Sequence, residues 1–190
     1  APTRDHTERM LEGFGYPVDR HAGKTVLQPG GTLYGSDLTI PGDFSSAAFL
    51  LVAASVVPGS RIELHGVGMN PTRTGLLEIL KSMGAKIEIN NSRTTAGEPI
   101  ADLIVESSNL RGVAVPPALV SRTIDEFPAL SIAAAHASGL TRISGAQELR
   151  FKESDRIATV VAGLRSVGIK VSEQSDGMVI AGGVIQEGTV

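Results

Sequence analysis

The sequence predicts an α/β fold that forms an incomplete inside-out barrel of βαβαββ repeats, with buried helices and outer sheets. Three observations support this fold: a helix–glycine–strand pattern that occurs three times, two helices that are apolar on nearly every face, and strands that alternate apolar with polar residues. A helix that is apolar all round belongs in a protein interior, whereas an alternating strand turns one face to water.

The repeat begins with an amphipathic helix, continues through a glycine that suits a helix C-terminus, and ends in a β-branched strand. Its copies lie at residues 8–15, 76–87 and 160–171. A second short apolar run follows each strand, which predicts a hairpin. The chain is therefore expected to hold two nearly complete units, residues 33–105 and 110–180, after the tail of another.

The two apolar helices are expected at Ala47–Val57 and Ala129–Ala137, each leading through a glycine into an alternating strand. A doubly wound fold is the usual interpretation of alternating strands and helices. Here no strand leads into a Gly-x-Gly-x-x-Gly turn, and the helices rather than the strands carry the continuous apolar runs. Buried helices with outer sheets therefore fit better.

Composition argues against several classes of function. The net charge of −3 over 190 residues gives no case for binding nucleic acid or an anionic membrane. The absence of cysteine excludes thiolate metal sites and a cysteine nucleophile, and it suits a cytoplasmic location. The four histidines lack metal-ligand spacing, no apolar run is long enough to span a bilayer, and no signal peptide is visible. Because the sequence lacks an initiator methionine, the chain is expected to begin inside a longer protein.

The segment Glu148–Ile157 carries charges of both signs and is expected to begin a helix. Lys152 and Arg156 would be neighbours on one helix face, with Glu153 three residues before Arg156. A solvated helix start with local ion pairs is the simpler interpretation. The functional interpretation is an anion site, because cationic side chains beside a helix N-terminus favour phosphate or carboxylate.

A second candidate segment, Thr123–Leu130, opens the later apolar helix. Asp125 is well placed to cap that helix. Two adjacent acids, Asp125 and Glu126, also enter a helix nearly free of charge, so at least one is expected to be partly desolvated with a raised pKa, as a general base requires. The sequence leaves the choice between cap and base open.

Two further segments are expected to be structural. Asp43 or Ser45 is predicted to cap the first apolar helix. In the loop at residues 70–75, which corresponds to the Lys152–Arg156 region one repeat earlier, Asn70 is predicted to act as a cap and Arg73 to lie on the surface.

The sequence resembles the 5-enolpyruvylshikimate-3-phosphate synthases, whose motifs occur here in the same order over nearly the whole chain. Those motifs are Arg4-Asp5-His6-Thr7-Glu8-Arg9-Met10-Leu11, Pro41-Gly42-Asp43-Phe44-Ser45-Ser46-Ala47, Met69-Asn70-Pro71-Thr72-Arg73-Thr74-Gly75, Ile124-Asp125-Glu126-Phe127-Pro128 and Glu148-Leu149-Arg150-Phe151-Lys152-Glu153-Ser154-Asp155-Arg156. The resemblance implies two domains of three βαβαββ units each, of which residues 1–190 would be a single, truncated second domain. It also implies transfer of the enolpyruvyl group of phosphoenolpyruvate to the 5-hydroxyl of shikimate 3-phosphate, without a metal or organic cofactor.

The resemblance further implies roles for five side chains. Asp125 would contact the shikimate hydroxyls and take the proton from the attacking one, and Glu153 would take part in proton transfer at the phosphoenolpyruvate methylene carbon. Lys152 and Arg4 would bind shikimate 3-phosphate, and Arg156 would pair with the phosphoenolpyruvate anion.

The cationic groups that the family has in its first domain and in a later Asp-His-Arg motif are missing from these 190 residues, so the fragment alone is expected to be inactive or nearly so. Two alternatives stay open: a UDP-N-acetylglucosamine enolpyruvyl transferase, and a non-catalytic module that keeps the fold.

Overall fold

The computed structural model describes residues 4–21 and 23–189; Ala1 to Thr3, Ala22 and Val190 lie outside the described residues. The α-helices are α1 (His6–Gly13), α2 (Phe44–Val56), α3 (Gly75–Ser82), α4 (Pro117–Val120), α5 (Phe127–His136) and α6 (Arg156–Ser166), and a 3₁₀ helix spans Gln147–Phe151. The strands are β1 (Val18–His21), β2 (Lys24–Leu27), β3 (Arg61–Gly68), β4 (Lys86–Thr95), β5 (Glu98–Glu106), β6 (Leu140–Ile143), β7 (Lys170–Gln174) and β8 (Gly177–Ala181).

The predicted repeat is present in the sheet topology. Two three-stranded antiparallel sheets have the orders β3-β5-β4 and β6-β8-β7, so the last strand of each unit lies in the middle of its sheet. The predicted hairpins are β1-β2, β4-β5 and β7-β8. After α1, α3 and α6 come Gly15, Gly84 and Gly168, all with positive φ, as the helix–glycine–strand pattern predicts.

The first strand of each predicted βαβαββ unit is reduced to one or two isolated bridges, and the prediction of a full strand there is wrong. Gly42 makes a parallel bridge to Val67 in the first unit, and the second unit has two such bridges, from Arg111 to Ser138 and from Ala114 to Arg142. In the second unit, Pro117 lacks the N–H that would extend the ladder beyond Val115, and in the first unit α2 begins two residues after Gly42.

The apolar helices α2 and α5 pack against each other in the core, and their central residues, including Leu51 and Leu130, are fully buried. One face of α2 departs from the prediction of an interior helix, because Phe49 and Leu50 are 59% and 51% exposed. Both side chains are therefore only partly covered by the described residues. Through the whole described part of the chain, no helix combines the length and apolarity that crossing a membrane requires.

Candidate active site

Three loops that precede core helices carry the charged residues of the candidate site. Residues 70–74 connect β3 to α3, residues 121–126 connect α4 to α5, and residues 152–155 connect the 3₁₀ helix to α6. Helix α5 packs against both α3 and α6. The starts of these helices therefore bring side chains from distant parts of the sequence to one surface.

Gly75 determines how closely the loop at residues 70–74 and the loop at residues 121–126 approach each other. Its N–H donates to the carbonyl of Arg122 at 3.2 Å. A Cβ at position 75 would lie 2.2 Å from the Oγ1 of Thr123, which is fully buried. Only glycine fits here without displacing the loop that leads to Asp125.

We expect Gly75→Ala to lower the free energy of unfolding by about 1–3 kcal/mol, the usual cost of overpacking a closed interior. Urea denaturation measures the change. Gly35→Ala is the matched control, because an added Cβ there meets no atom within 4 Å. Equal stability of the two variants would show that the contact between positions 75 and 123 does not constrain the loops.

Asn70 and Arg73 do not have the roles predicted from the sequence. Asn70 is buried, and its Oδ1 accepts hydrogen bonds from the N–H and hydroxyl of Thr72 at 2.9 and 2.7 Å. It therefore closes a turn five residues before α3 and caps no helix. That turn directs Arg73 inward, where its side chain is only 18% exposed. The prediction of a surface arginine is wrong because it used local spacing alone.

Asp125 lies among three guanidinium groups. Arg4 donates a hydrogen bond to Oδ2, and Nη1 of Arg73 donates to the same oxygen at 3.0 Å. Nη1 of Arg156 lies 3.8 Å from Oδ1. The carboxylate makes no capping bond to α5, so the choice left open by the sequence is settled against the cap. Asp125 keeps a 26% exposed side chain, accessible from solvent.

Glu126 is the desolvated acid of the pair. Its side chain is 1% exposed, and its Oε1 accepts hydrogen bonds from the hydroxyl of Ser45 at 2.6 Å and from Nη2 of Arg73 at 3.2 Å. Burial raises the pKa of Glu126, with a smaller contribution from the charge of Asp125, and the bonds from Ser45 and Arg73 oppose that rise. The expectation of a raised pKa in this pair is confirmed for Glu126.

Arg73 joins these groups into one network. Its Nη2 donates to the hydroxyl of Ser45 at 2.7 Å as well as to Glu126. Asp43 caps α2 as predicted, accepting from the N–H of Ser46 at 2.8 Å, so the neighbouring Ser45 is left for this network. The sequence did contain a signal for Arg73, because its loop corresponds to the Lys152–Arg156 region of the next repeat.

The cationic segment lies mostly before α6 rather than on it, which corrects the predicted helix face. Lys152 and Glu153 belong to the preceding loop, and Arg156 is the first residue of the helix. Lys152 pairs with Glu148 at 3.2 Å, and Arg156 pairs with Glu153 at 2.7 Å. Two hydrogen bonds lower the pKa of Glu153. The larger effect comes from the backbone N–H of Glu153 itself, and the next from Arg156. Asp155 caps α6, accepting a hydrogen bond from the N–H of Ala158 at 3.0 Å.

The structure thus brings together Arg4, Asp125 and Arg156, with Glu153 attached through Arg156. It shows Lys152 on the same loop, in contact with Glu148. Several cations at one partly exposed surface attract an anion, and a carboxylate among them can accept a proton from a bound hydroxyl. Within the described ranges, no group of three or more potential metal ligands is found.

The chain matches known proteins along its entire length. The profile of the family described as EPSP synthase (3-phosphoshikimate 1-carboxyvinyltransferase) matches residues 1–190. A 3-phosphoshikimate 1-carboxyvinyltransferase from Acidithiobacillus ferrooxidans is 56% identical over 190 residues, which are 100% of this chain and 44% of that protein. One from Halorhodospira halophila is 58% identical over 182 residues, 96% of this chain and 41% of that protein. The chain therefore spans less than half the length of the curated relatives it matches.

Solved structures agree with the sequence comparison. EPSP synthase from Acinetobacter baumannii superimposes with a TM-score of 0.93 at 50% identity, over 96% of this chain and 41% of that one. The enolpyruvyl transferase NikO from Streptomyces tendae gives a TM-score of 0.62 at 17% identity, over 90% of this chain and 38% of that one, and this likeness concerns the fold alone. The predicted fold, an incomplete α/β enolpyruvyl transferase fold, is confirmed, and the chain belongs to the EPSP synthase (3-phosphoshikimate 1-carboxyvinyltransferase) family.

Proposed function

We propose that this chain supplies one side of the active site of a 3-phosphoshikimate 1-carboxyvinyltransferase, which transfers the enolpyruvyl group of phosphoenolpyruvate to the 5-hydroxyl of shikimate 3-phosphate and releases phosphate. The observation that carries the proposal is the position of Asp125, a partly exposed carboxylate among Arg4, Arg73 and Arg156. Both substrates are anionic and the acceptor is a hydroxyl, so the reaction needs cations and a proton acceptor at one place.

Each group has a chemical task in this proposal. Asp125 takes the proton as the hydroxyl oxygen forms its bond to the central carbon of phosphoenolpyruvate. The methylene carbon gains a proton in that addition and loses one as phosphate leaves, and Glu153 serves this exchange. Arg156 binds the phosphoenolpyruvate anion, while Lys152 and Arg4 bind shikimate 3-phosphate.

The proposal extends to the organisation of the whole protein. Residues 1–190 form a truncated second domain, and a first domain of the same protein supplies the remaining cations across the cleft, in a cytoplasmic enzyme of the shikimate pathway. Because the chain spans 44% of a relative, we expect it to bind shikimate 3-phosphate weakly when alone and to show little or no turnover. Charge stabilisation from one side leaves the transition state incompletely neutralised.

The 56% identity to a 3-phosphoshikimate 1-carboxyvinyltransferase over the entire chain favours shikimate 3-phosphate over UDP-N-acetylglucosamine as the acceptor. A non-catalytic module is disfavoured by the paired Asp125 and Arg156, which an inactive protein has no need to hold together at an accessible surface.

A chimera tests the proposal. The chain replaces the 190 matched residues of the Acidithiobacillus ferrooxidans relative, and phosphate release from phosphoenolpyruvate is followed with shikimate 3-phosphate or UDP-N-acetylglucosamine as acceptor. We expect turnover with shikimate 3-phosphate as the acceptor and none with UDP-N-acetylglucosamine. The rate should lie within about tenfold of that of the unmodified relative, a difference of about 1.4 kcal/mol in the activation barrier. A folded chimera that is inactive with both acceptors would contradict the proposal.

Calorimetry on the unfused chain provides a second check. Heat on addition of shikimate 3-phosphate should be detectable for the chain and absent for the double variant Asp125→Ala, Lys152→Ala. If neither protein gives heat, the fragment keeps the fold without a binding site of its own.

A further inference from the structure

The three arginines around Asp125 are not equivalent. Arg4 and Arg156 have side chains that are 44% and 27% exposed, and in the proposed function both bind substrate anions. Arg73 is 18% exposed and uses its other terminal nitrogen for Glu126 and Ser45. Arg156 also has a second protein partner, Glu153, but that side chain is 79% exposed, whereas the second partner of Arg73 is the buried Glu126.

This difference matters when substrates bind. Phosphate and carboxylate oxygens compete with Asp125 for Arg4 and Arg156, because a guanidinium group forms charge-assisted hydrogen bonds with either kind of anion. If Asp125 depended on these two arginines, its carboxylate would lose its position when the reaction needs it. Arg73 has no such freedom, since turning toward a substrate would break its bonds to Ser45 and to the buried Glu126.

We infer that Arg73 is a positioning residue that holds the carboxylate of Asp125 throughout the reaction, with Glu126 and Ser45 as its anchor. The inference rests on the proposed function for the identity of the substrates. Nη1 of Arg73 fixes Oδ2 of Asp125 at 3.0 Å and leaves Oδ1 for the hydroxyl proton. The buried Glu126 and the hydroxyl of Ser45 accept from Nη2, so rotation of the planar guanidinium would break both bonds.

Steady-state kinetics of the chimera test the inference. We expect Arg73→Met to lower kcat about a hundredfold, the cost of a small misplacement of a reacting group, with the KM values for both substrates little changed. Arg73→Lys should recover only part of the loss, because an ammonium group cannot hold Asp125 and Glu126 at once. Arg61→Met, which removes an exposed arginine from β3, is the matched control and should leave kcat unchanged.

A double-mutant cycle separates positioning from general damage. If Arg73 acts through Asp125, then Arg73→Met should reduce the residual kcat of an Asp125→Asn chimera by less than threefold, because residues that act as a unit are non-additive. An equal, hundredfold loss in both backgrounds would overturn the inference. So would a raised KM for either substrate with unchanged kcat, which would make Arg73 a substrate-binding residue.

A measurement on the unfused chain keeps the inference testable if the chimera is inactive, in which case the proposed function fails by itself. Side-chain couplings measured by NMR report the χ1 rotamers of Asp125 in excess inorganic phosphate, which competes for Arg4 and Arg156. In the wild type and in Arg61→Met, we expect the Asp125 side chain to occupy one χ1 rotamer. In Arg73→Met, and in Ser45→Ala, which removes only a hydroxyl, we expect couplings averaged over several rotamers. Averaging in the wild type, or one rotamer in folded Arg73→Met, would overturn the inference.

Discussion

Asp125→Asn in the chimera is expected to lower kcat by about 10²–10⁴-fold, the usual contribution of a positioned general base. The amide has nearly the same shape as the carboxylate but cannot accept the hydroxyl proton. The KM for shikimate 3-phosphate should change much less, because Lys152 and Arg4 provide the proposed charge contacts to that substrate. Phosphate release under saturating substrates measures the effect.

The control for this variant is Glu106→Gln, which neutralises an exposed carboxylate on β5 away from the three loops. It should leave kcat within experimental error of the unsubstituted chimera. Asp125→Asn activity within threefold of that value, in a protein with an unchanged melting temperature, would show that another group accepts the proton.

Arg156→Lys is expected to raise the KM for phosphoenolpyruvate roughly ten- to a hundredfold, since a hydrogen bond to a charged group contributes about 1.5–3 kcal/mol. Lysine keeps the positive charge but not the planar fork, which in the free protein spans Glu153 and Asp125. The KM for shikimate 3-phosphate should stay nearly constant. Initial rates with each substrate varied in turn distinguish the two constants.

Arg165→Lys, at the opposite end of α6, is the matched control for that substitution. Its guanidinium donates to the carbonyl of Val171 and is separated from the 152–155 loop by most of the length of α6. A larger effect of Arg156→Lys on shikimate 3-phosphate than on phosphoenolpyruvate would reverse the proposed assignment of the anion subsites.

The repeating parts of the fold were predictable from the sequence, because local rules determine them. The glycines after α1, α3 and α6 and the hairpins that follow are set by the positive φ of the glycine and by alternating apolar residues. The first strand of each unit was mispredicted because apolar residues before Pro41 and Pro116 suggest a strand, whereas the backbone there makes only isolated bridges before the chain turns into a helix.

The side chains of the candidate site were predictable only where a single sequence motif contained them. Asp125 and Arg156 came from motifs that resemble a family, and the structure places them 3.8 Å apart. Arg73 was missed because its partners lie 52 and 53 residues later in the chain, beyond any local pattern. Asn70 was misassigned because a buried asparagine that closes a turn has the same sequence signature as a helix cap. Repeat symmetry was the better guide, since it equates the Arg73 loop with the Lys152–Arg156 loop.

The most direct test of the central claim is a crystal structure of the chimera with shikimate 3-phosphate bound. We expect the 5-hydroxyl within about 2.6–3.2 Å of an Asp125 oxygen, the reach of a general base, with the phosphate group on Arg4 and Lys152 and the bond from Arg73 to Asp125 intact. Shikimate 3-phosphate bound on another face, with Asp125 still enclosed by its three arginines, would contradict the account.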